Sequence, residues 1–272
     1  MIKKYAVFGN PIEHSLSPLI HSHFANSLKI DLSYKPILVN LGKFEEEAKK
    51  FLQGGGLGFN ITLPFKQEAY NFVDSKSNIA QITGAVNTIS FKDGKIHGDN
   101  TDGVGFIRDL KKNNFYEMKD KKVLLVGAGG AAMGVIPNIL NEEPSLLKIY
   151  NRTYDKAKNL CEKFKDIGKI EAVKKDLSNK DDFDLIINAT SIGINNSSFE
   201  LSQDFFNIGT VCYDMSYGKA SYSFMEWAKK NNLKFYDGLG MLIEQAAESF
   251  YIWESKRPLI SDEKYKTSFS VV

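Results

Sequence analysis

Short apolar runs alternate along this chain with longer stretches whose apolar residues recur every three or four positions. The short runs read as strands: Tyr5–Phe8, Leu32–Val39, Leu57–Thr62, Val123–Val126, Leu147–Tyr150, Asp184–Ala189, Thr210–Met215 and Lys234–Tyr236. The periodic stretches read as amphipathic helices. One carries Ile20, Phe24, Ser27 and Leu28, the next Phe44, Ala48, Phe51 and Leu52. A third starts near Pro64, with Lys66 in its first turn. Further helices are expected over Val104–Lys112, through Val135, Ile136, Ile139 and Leu140, over 155–166 and over Tyr222–Lys230. A last one runs through Leu242, Ala246, Ser249, Phe250 and Trp253. Such alternation predicts an α/β architecture with parallel or mostly parallel sheets. Two stretches depart from it. Ala85–Asp99 reads as a β-hairpin closed by Asp93-Gly94, and Lys111–Lys122, rich in lysine and asparagine, as a solvated linker.

Bulk properties narrow the class. With 272 residues the chain is long for one ordinary domain and comfortable for two. A net charge of +2 from scattered lysines excludes an obvious nucleic-acid surface. Cys161 and Cys212 form no metal or disulfide pattern, which suits a reducing cytoplasm. The first apolar run is too short for a signal peptide and no later one approaches membrane length, so a cytoplasmic enzyme without membrane partners is expected. No metal site is expected either. His14, His21, His23 and His97 lack ligand spacing, and His21 and His23, two apart on a helix, cannot share a face.

The clearest chemistry lies between Val123 and Thr153. A strand runs into Gly127-Ala128-Gly129-Gly130-Ala131-Ala132, a helical pattern follows, and a second strand ends at Asn151-Arg152-Thr153. A glycine turn in that context is a dinucleotide fingerprint. Gly127 allows the tight turn, Gly129 lets the backbone approach a pyrophosphate, and Ala132 stands where a third glycine packs helix on strand. The helix then offers free N–H groups to the phosphates. Where an NAD site usually carries Asp or Glu, this chain has Asn151, Arg152 and Thr153, with Lys156 close behind. A carboxylate would repel a 2′-phosphate, whereas a guanidinium beside a hydroxyl binds it, so NADP is favoured.

Four further clusters each have a plain structural reading. Ser15-Leu-Ser17-Pro18 fits a helix N-cap, and equally two hydroxyls holding a small carboxylate. Asn60-Ile-Thr62-Leu-Pro64-Phe-Lys66 puts polar groups at the end of an apolar strand, where open α/β sheets bind ligands, though a cap with a surface lysine would look the same. Asn87 is an amide inside an apolar strand and must find partners there. Asp102, in Asn100-Thr-Asp-Gly, fits a simple helix cap.

In this order the segments resemble the shikimate dehydrogenase family, from Ala6-Val-Phe-Gly-Asn-Pro11 to Asp237-Gly-Leu-Gly-Met241-Leu-Ile-Glu-Gln245. The combination of Asn-x-Thr-x-Pro-x-Lys, Gly-Asp99-Asn-Thr-Asp102-Gly and Asp-Gly-x-Gly-Met-Leu-x-x-Gln is specific. The resemblance implies reversible NADPH-dependent reduction of 3-dehydroshikimate to shikimate, on the route to chorismate and aromatic amino acids. It implies Lys66 and Asp102 as the catalytic pair, Ser15 and Ser17 on the substrate carboxylate with the Tyr217 phenol near it, and Thr62, Asn87 and Gln245 on its hydroxyls. It assigns the cofactor's phosphate and ribose ends to Gly127, Ala128, Gly129, Gly130, Ala131, Asn151, Arg152 and Thr153. Thr190, Met215, Gly238 and Met241 fall to the nicotinamide end. Met133 stands where many relatives carry arginine, and Lys156 where others have a second one. Lysine keeps the charge but loses the planar fork, which leaves the NADP preference in place but weaker.

The expected fold is therefore two α/β domains around a cleft. Residues 1–103, completed by 238–272, form the substrate domain, and 104–237 a Rossmann-like, doubly wound parallel sheet. The expected state is a monomer or homodimer acting on a small molecule. In the chemistry, Lys66 as an ammonium either gives a proton to the developing alkoxide or only polarises the oxygen, while Asp102 keeps it charged and aimed. The helix dipole opposes that ammonium and the carboxylate favours it. The rival readings are a quinate/shikimate dehydrogenase using NAD, and a non-catalytic dinucleotide sensor, which would have no need of both Lys66 and Asp102.

Overall fold

The computed structural model describes residues 2–113, 116–174, 181–193 and 197–260. In chain order the first elements are β1 (Lys3–Gly9), α1 (Ser17–Leu28), β2 (Leu32–Leu38), α2 (Phe44–Gln53), β3 (Gly56–Ile61) and α3 (Lys66–Phe72). Next come β4 (Ser75–Lys76), α4 (Asn78–Thr83), β5 (Thr88–Lys92), β6 (Lys95–Asp99) and α5 (Asp102–Arg108). After a π-helical turn (Asp109–Asn113) follow β7 (Lys122–Val126), α6 (Gly130–Asn141), β8 (Leu146–Tyr150), α7 (Tyr154–Phe164) and β9 (Ile170–Val173). The chain closes with β10 (Phe183–Asn188), β11 (Phe206–Asp214), α8 (Tyr222–Lys230), β12 (Lys234–Tyr236) and α9 (Leu239–Glu254). Two compact units result. Among the described residues, one comprises those up to Gly105 with 242–260, and the other Phe106–Met241.

The first unit holds a six-stranded sheet in the order β2-β1-β3-β5-β6-β4. Strands β1, β2 and β3 are parallel, as their intervening helices require. The hairpin makes the rest a mixed sheet: β5 runs antiparallel to both β3 and β6. Its turn takes φ of 52° at Asp93 and 76° at Gly94, the paired left-handed conformations that let two residues reverse a twisted strand. Asn87 sits at the bend before β5 and not within the strand. The elements β4 and α4 are too short to leave a periodic signal.

Both faces of β1 are covered. Phe8 stacks on Phe59 with ring centres 4.4 Å apart and meets the edges of Phe44 and Phe51. Tyr5, Val7, Ile12 and Tyr34 form the core of the other face, against Trp253. Helix α9 completes this face. Trp253 stacks on Tyr5 at 4.5 Å and donates its indole N–H to the Ile89 carbonyl at 3.0 Å. Phe250 packs edge-on against Phe24 and flat on His21, which in turn stacks on Tyr34 at 4.1 Å. Burial pushes the His21 imidazole down to about 3, so the ring is a neutral aromatic wall.

The second unit is an all-parallel sheet ordered β12-β11-β10-β7-β8-β9. Counted from β7 this is 3-2-1-4-5-6 read from β9, with the order reversing between β7 and β10. That is the doubly wound Rossmann order. The edge strand β9 carries too little alternation to be read from the sequence. The stretch expected as a linker is helical to Asn113, and Met118 within it is buried, because Leu110 and Met118 join the core. Among the described residues no helix is long and apolar enough to cross a membrane.

Phe250 is fully buried on the last helix. Phe250→Ala should lower stability by roughly 3–5 kcal/mol, read as a shift of the urea unfolding midpoint at unchanged slope.

Candidate active site

The register of the first sheet decides which loops meet. Strands β1 and β3 end at the same edge, so the segments leading to Ser15 and Ser17 and to Thr62 and Lys66 leave it together. The Thr62 N–H donates to the Phe8 carbonyl at 2.9 Å, and the Asn10 N–H to the Leu63 carbonyl at 3.0 Å. Because β5 is antiparallel to β3, with Asn60 opposite Thr88, Asn87 starts at that same edge. Because β6 is antiparallel to β5, with Thr88 opposite Asp99, Asn100, Thr101 and Asp102 end there too. Topology therefore gathers residues far apart in sequence.

There the Lys66 Nζ donates to Asp102 Oδ2 at 2.5 Å, with side-chain exposures of 23% and 11%. Asp102 does not cap its helix. It begins α5, and its own N–H is taken by the Asn100 Oδ1 at 3.1 Å. Asn100 is held in turn by donating to the Thr83 hydroxyl and the Ala85 carbonyl. The second oxygen of Asp102 accepts from Asn87 Nδ2 at 2.8 Å. Gln245, from α9, joins the group: its Oε1 accepts from the Thr101 hydroxyl at 3.3 Å and from Asn87 Nδ2 at 3.5 Å. Lys66, Asp102, Asn87 and Gln245 thus converge. Ser15 and Ser17 stand at the start of α1, whose cap position is Leu16 and makes no side-chain cap bond, while the Ser15 hydroxyl accepts from the Ser17 N–H at 3.3 Å.

Residues the sequence reading passed over lie directly behind these. The Asn60 amide, named only as part of a motif, is buried and spans to Tyr34, Thr88 and Ser249. Ser249 was legible in principle, as a hydroxyl in an otherwise apolar helical stripe. Tyr34 left no signal.

In the second unit every sequence-predicted cofactor residue follows the carboxyl end of a parallel strand. Gly127 has φ +115°, and a Cβ there would lie 2.8 Å from the Ala189 carbonyl oxygen, so glycine is required. A Cβ on Gly129 or Gly130 would meet nothing within 4 Å. Gly129 caps α6 without a side-chain hydrogen bond. An open backbone cradle at a helix N-terminus fits a pyrophosphate. Past β8, Arg152, Thr153 and Lys156 are exposed, and the Asn151 amide donates to the Thr153 carbonyl at 2.8 Å. At the other strand ends, Asn188 Oδ1 accepts from the N–H and hydroxyl of Thr190, and Asp214 Oδ1 from the Ser216 N–H. The two are joined by Asn188 Nδ2 donating to Asp214 Oδ2 at 2.9 Å. A Cβ on Gly238 would strike the Met215 carbonyl, and one on Gly240 the Asp109 carboxylate, which explains the two glycines of Asp-Gly-x-Gly. Cys212 is fully buried and its thiol is pushed up to about 12, as inert as the sequence suggests.

A doubly wound parallel sheet with an open glycine cradle at the end of its first strand is the architecture of nucleotide-dependent dehydrogenases. Comparison with known proteins makes that class specific. Models of the shikimate dehydrogenase substrate-binding domain, of shikimate/quinate 5-dehydrogenase and of the shikimate 5′-dehydrogenase C-terminal domain match residues 7–89, 109–200 and 238–261. A shikimate dehydrogenase (NADP(+)) from Chromobacterium violaceum is 44% identical over 95% of both chains. The structure of shikimate 5-dehydrogenase from Thermus thermophilus with NADP(H) and shikimate superposes with a TM-score of 0.84, at 31% identity over 95% of each chain. That of the Listeria monocytogenes enzyme with shikimate and NAD gives 0.85, at 26% identity over 98% of this chain and 96% of that one. This chain belongs to the shikimate dehydrogenase family.

Asp214 makes the second unit testable without any ligand. It is fully buried, and burial pushes its carboxyl from 3.8 up to about 6, against the pull of the Ser216 and Asn188 hydrogen bonds. The folded protein then binds this proton at a pH where the unfolded chain has lost it. The group's contribution to stability is accordingly full below about 4 and is lost as the pH rises through about 6. A ¹³C titration of the Asp214 carboxyl should have its midpoint near 6; a midpoint near the ordinary value would show a hydrated site.

Proposed function

We propose that this chain reversibly reduces 3-dehydroshikimate to shikimate with NADPH, a step towards chorismate and the aromatic amino acids. The reading is carried by the Lys66–Asp102 ion pair, partly buried at the loop-rich edge of a sheet with Asn87 and Gln245 beside it. Bound NADPH would supply the hydride that reduces the carbonyl carbon. As charge develops on the oxygen, the Lys66 ammonium donates its proton there, and Asp102 holds that ammonium in place. Asn87 and Gln245 border the pair and, with Thr62, are assigned the substrate hydroxyls. Ser15 and Ser17, at a helix start whose cap residue Leu16 makes no side-chain bond, and the Tyr217 phenol are assigned the carboxylate. A non-catalytic sensor would have no use for an enclosed lysine–carboxylate pair.

For the cofactor, the cradle at Gly127, Ala128, Gly129, Gly130 and Ala131 supports a pyrophosphate. The exposed Arg152, with Asn151, Thr153 and Lys156, supports the 2′-phosphate of NADP. Thr190, Met215, Gly238 and Met241 are assigned the nicotinamide side, their loops tied by Asn188, Asp214 and the close approach of Gly238 to Met215. Free, buried Cys161 and Cys212 suit a cytoplasmic protein. We take it to act as a monomer or homodimer.

Initial rates with shikimate and with quinate, each with NADP and NAD, test the reading directly; the highest kcat/KM should belong to shikimate with NADP. A charge-assisted hydrogen bond contributes about 1.5–3 kcal/mol, so Arg152→Ala should raise the KM for NADPH roughly ten- to a hundredfold while that for NADH stays put. Equal losses with both would mean that the 2′-phosphate is read elsewhere.

A placed general acid contributes roughly 10²–10⁴ in rate. Lys66→Ala should therefore cut kcat by about that factor with little change in KM, and Asp102→Asn comparably. The double variant should be scarcely worse than the worse single one, since either loss disables the pair. Multiplying losses would show two independent residues, and a near-normal kcat for Lys66→Ala would remove Lys66 from the mechanism.

A further inference from the structure

Behind the catalytic pair the first unit carries more side-chain hydrogen bonding than a core needs. It forms a path with a direction. We propose that Tyr34, Asn60 and Thr88 are positioning residues for the proton step, holding the Asn87 amide in the one orientation that keeps Asp102 turned to Lys66. The proposal rests on the reading of Lys66–Asp102 as the proton-handling pair.

The path starts from groups that have no choice. A backbone N–H only donates and a carbonyl only accepts. The Thr101 N–H points at Asn87 Oδ1 at 2.9 Å, so that atom is the amide oxygen and Nδ2 faces Asp102 Oδ1 at 2.8 Å. Turned over, the amide would set its oxygen against the carboxylate, acceptor against acceptor, and drive Asp102 away from the lysine. The Asn87 carbonyl likewise fixes Asn60, whose Nδ2 donates to it at 3.1 Å.

Asn60 Nδ2 also lies 3.1 Å from the Thr88 hydroxyl oxygen and 2.9 Å from that of Ser249. One Nδ2 proton goes to the Asn87 carbonyl, so the other is shared between these two hydroxyl oxygens, and the Thr88 hydroxyl keeps its own proton to give. Two oxygens lie 2.8 Å from it, Ser249 Oγ and Asn87 Oδ1; given to Asn87 Oδ1, that proton is the second donor that forbids the flip. At the far end the Tyr34 phenol donates to Asn60 Oδ1 at 2.8 Å. Tyr34 is buried against the neutral ring of His21, and burial holds its phenol well above the usual range, so it stays a donor. With those donations the order runs Tyr34, Asn60, Thr88, Asn87, Asp102, all one way.

The phenol also faces the Ser17 hydroxyl. The path thus begins beside a residue assigned to the substrate carboxylate and ends at the proton donor. None of the three proposed residues need touch substrate, so their effect should fall on kcat, and on the shikimate KM only through Asn87.

Thr88→Val keeps the shape of the side chain and removes its proton; Thr88→Ser keeps the proton and removes a methyl. Steady-state kinetics on both, with melting curves, separate the roles. Thr88→Val should lower kcat about three- to tenfold, the size of one misplaced hydrogen bond, with the KM for NADPH within about twofold. Thr88→Ser should retain nearly full kcat. Tyr34→Phe should lower kcat in the same direction and decides the matter alone if Thr88→Val does not fold. The proposal is overturned if Thr88→Ser is the worse of the pair, as packing alone would make it. Normal kcat in Thr88→Val and Tyr34→Phe, with only a lower Tm, would overturn it too. Lys66→Ala tells the two failures apart: a dead Lys66→Ala beside normal Thr88→Val and Tyr34→Phe rejects the positioning path alone, and an active Lys66→Ala rejects the pair itself.

Discussion

An ammonium and a carboxylate facing each other at 2.5 Å, both mostly shielded from water, place a strict demand on the first unit. Each must be brought in by a backbone that is otherwise satisfied, and the carboxylate's second oxygen must have a donor. The unit meets the demand by chain reversal. Three parallel strands deliver Lys66 to one edge, and the antiparallel hairpin returns Asn87 and Asp102 to it. Had β6 joined β5 in parallel, β6 would end at the opposite edge and carry Asp102 away from Lys66 and Asn87. The two-residue turn at Asp93 and Gly94 is thus as necessary to the pair as the residues in it.

The last helix answers the same demand from the other end of the chain. Its aromatic side chains anchor it, with Trp253 on Tyr5 and Phe250 on Phe24. Its polar ones, Gln245 and Ser249, then enter the network around Asn60 and Asn87. Apolar burial supplies most of the adhesion and the hydrogen bonds supply orientation, since a buried amide left unpaired costs more than a paired one contributes.

The second unit solves its problem with the absence of side chains. Gly127 turns where a Cβ would strike Ala189, Gly238 and Gly240 let backbone and carboxylate approach, and Gly129 and Gly130 leave space. Where side chains do appear at the strand ends, Asn188 and Asp214 tie two loops together. One unit is ordered at its strand ends by a polar network, the other by close backbone approach.

Periodicity specified the alternation of strands and helices, and turn residues the hairpin and the glycine turn, because each depends on neighbours within a few positions. The combination of motifs was enough to mark Lys66, Asp102, Asn87 and Gln245. Local pattern could not reach the features that depend on distant partners. Strand order, the return of β5 against β3, the short β4 and the edge strand β9 all follow from pairing across the sheet. Asp102 looked like a helix cap until Asn100 was seen to take its N–H. Tyr34 and Ser249 looked like a strand residue and a helix residue, because what gives them a role is Asn60, reached from each across long stretches of chain. Which residues can carry chemistry is written in their types and spacing. Which way an amide or a carboxylate faces is decided by partners that only the folded chain brings within hydrogen-bond distance.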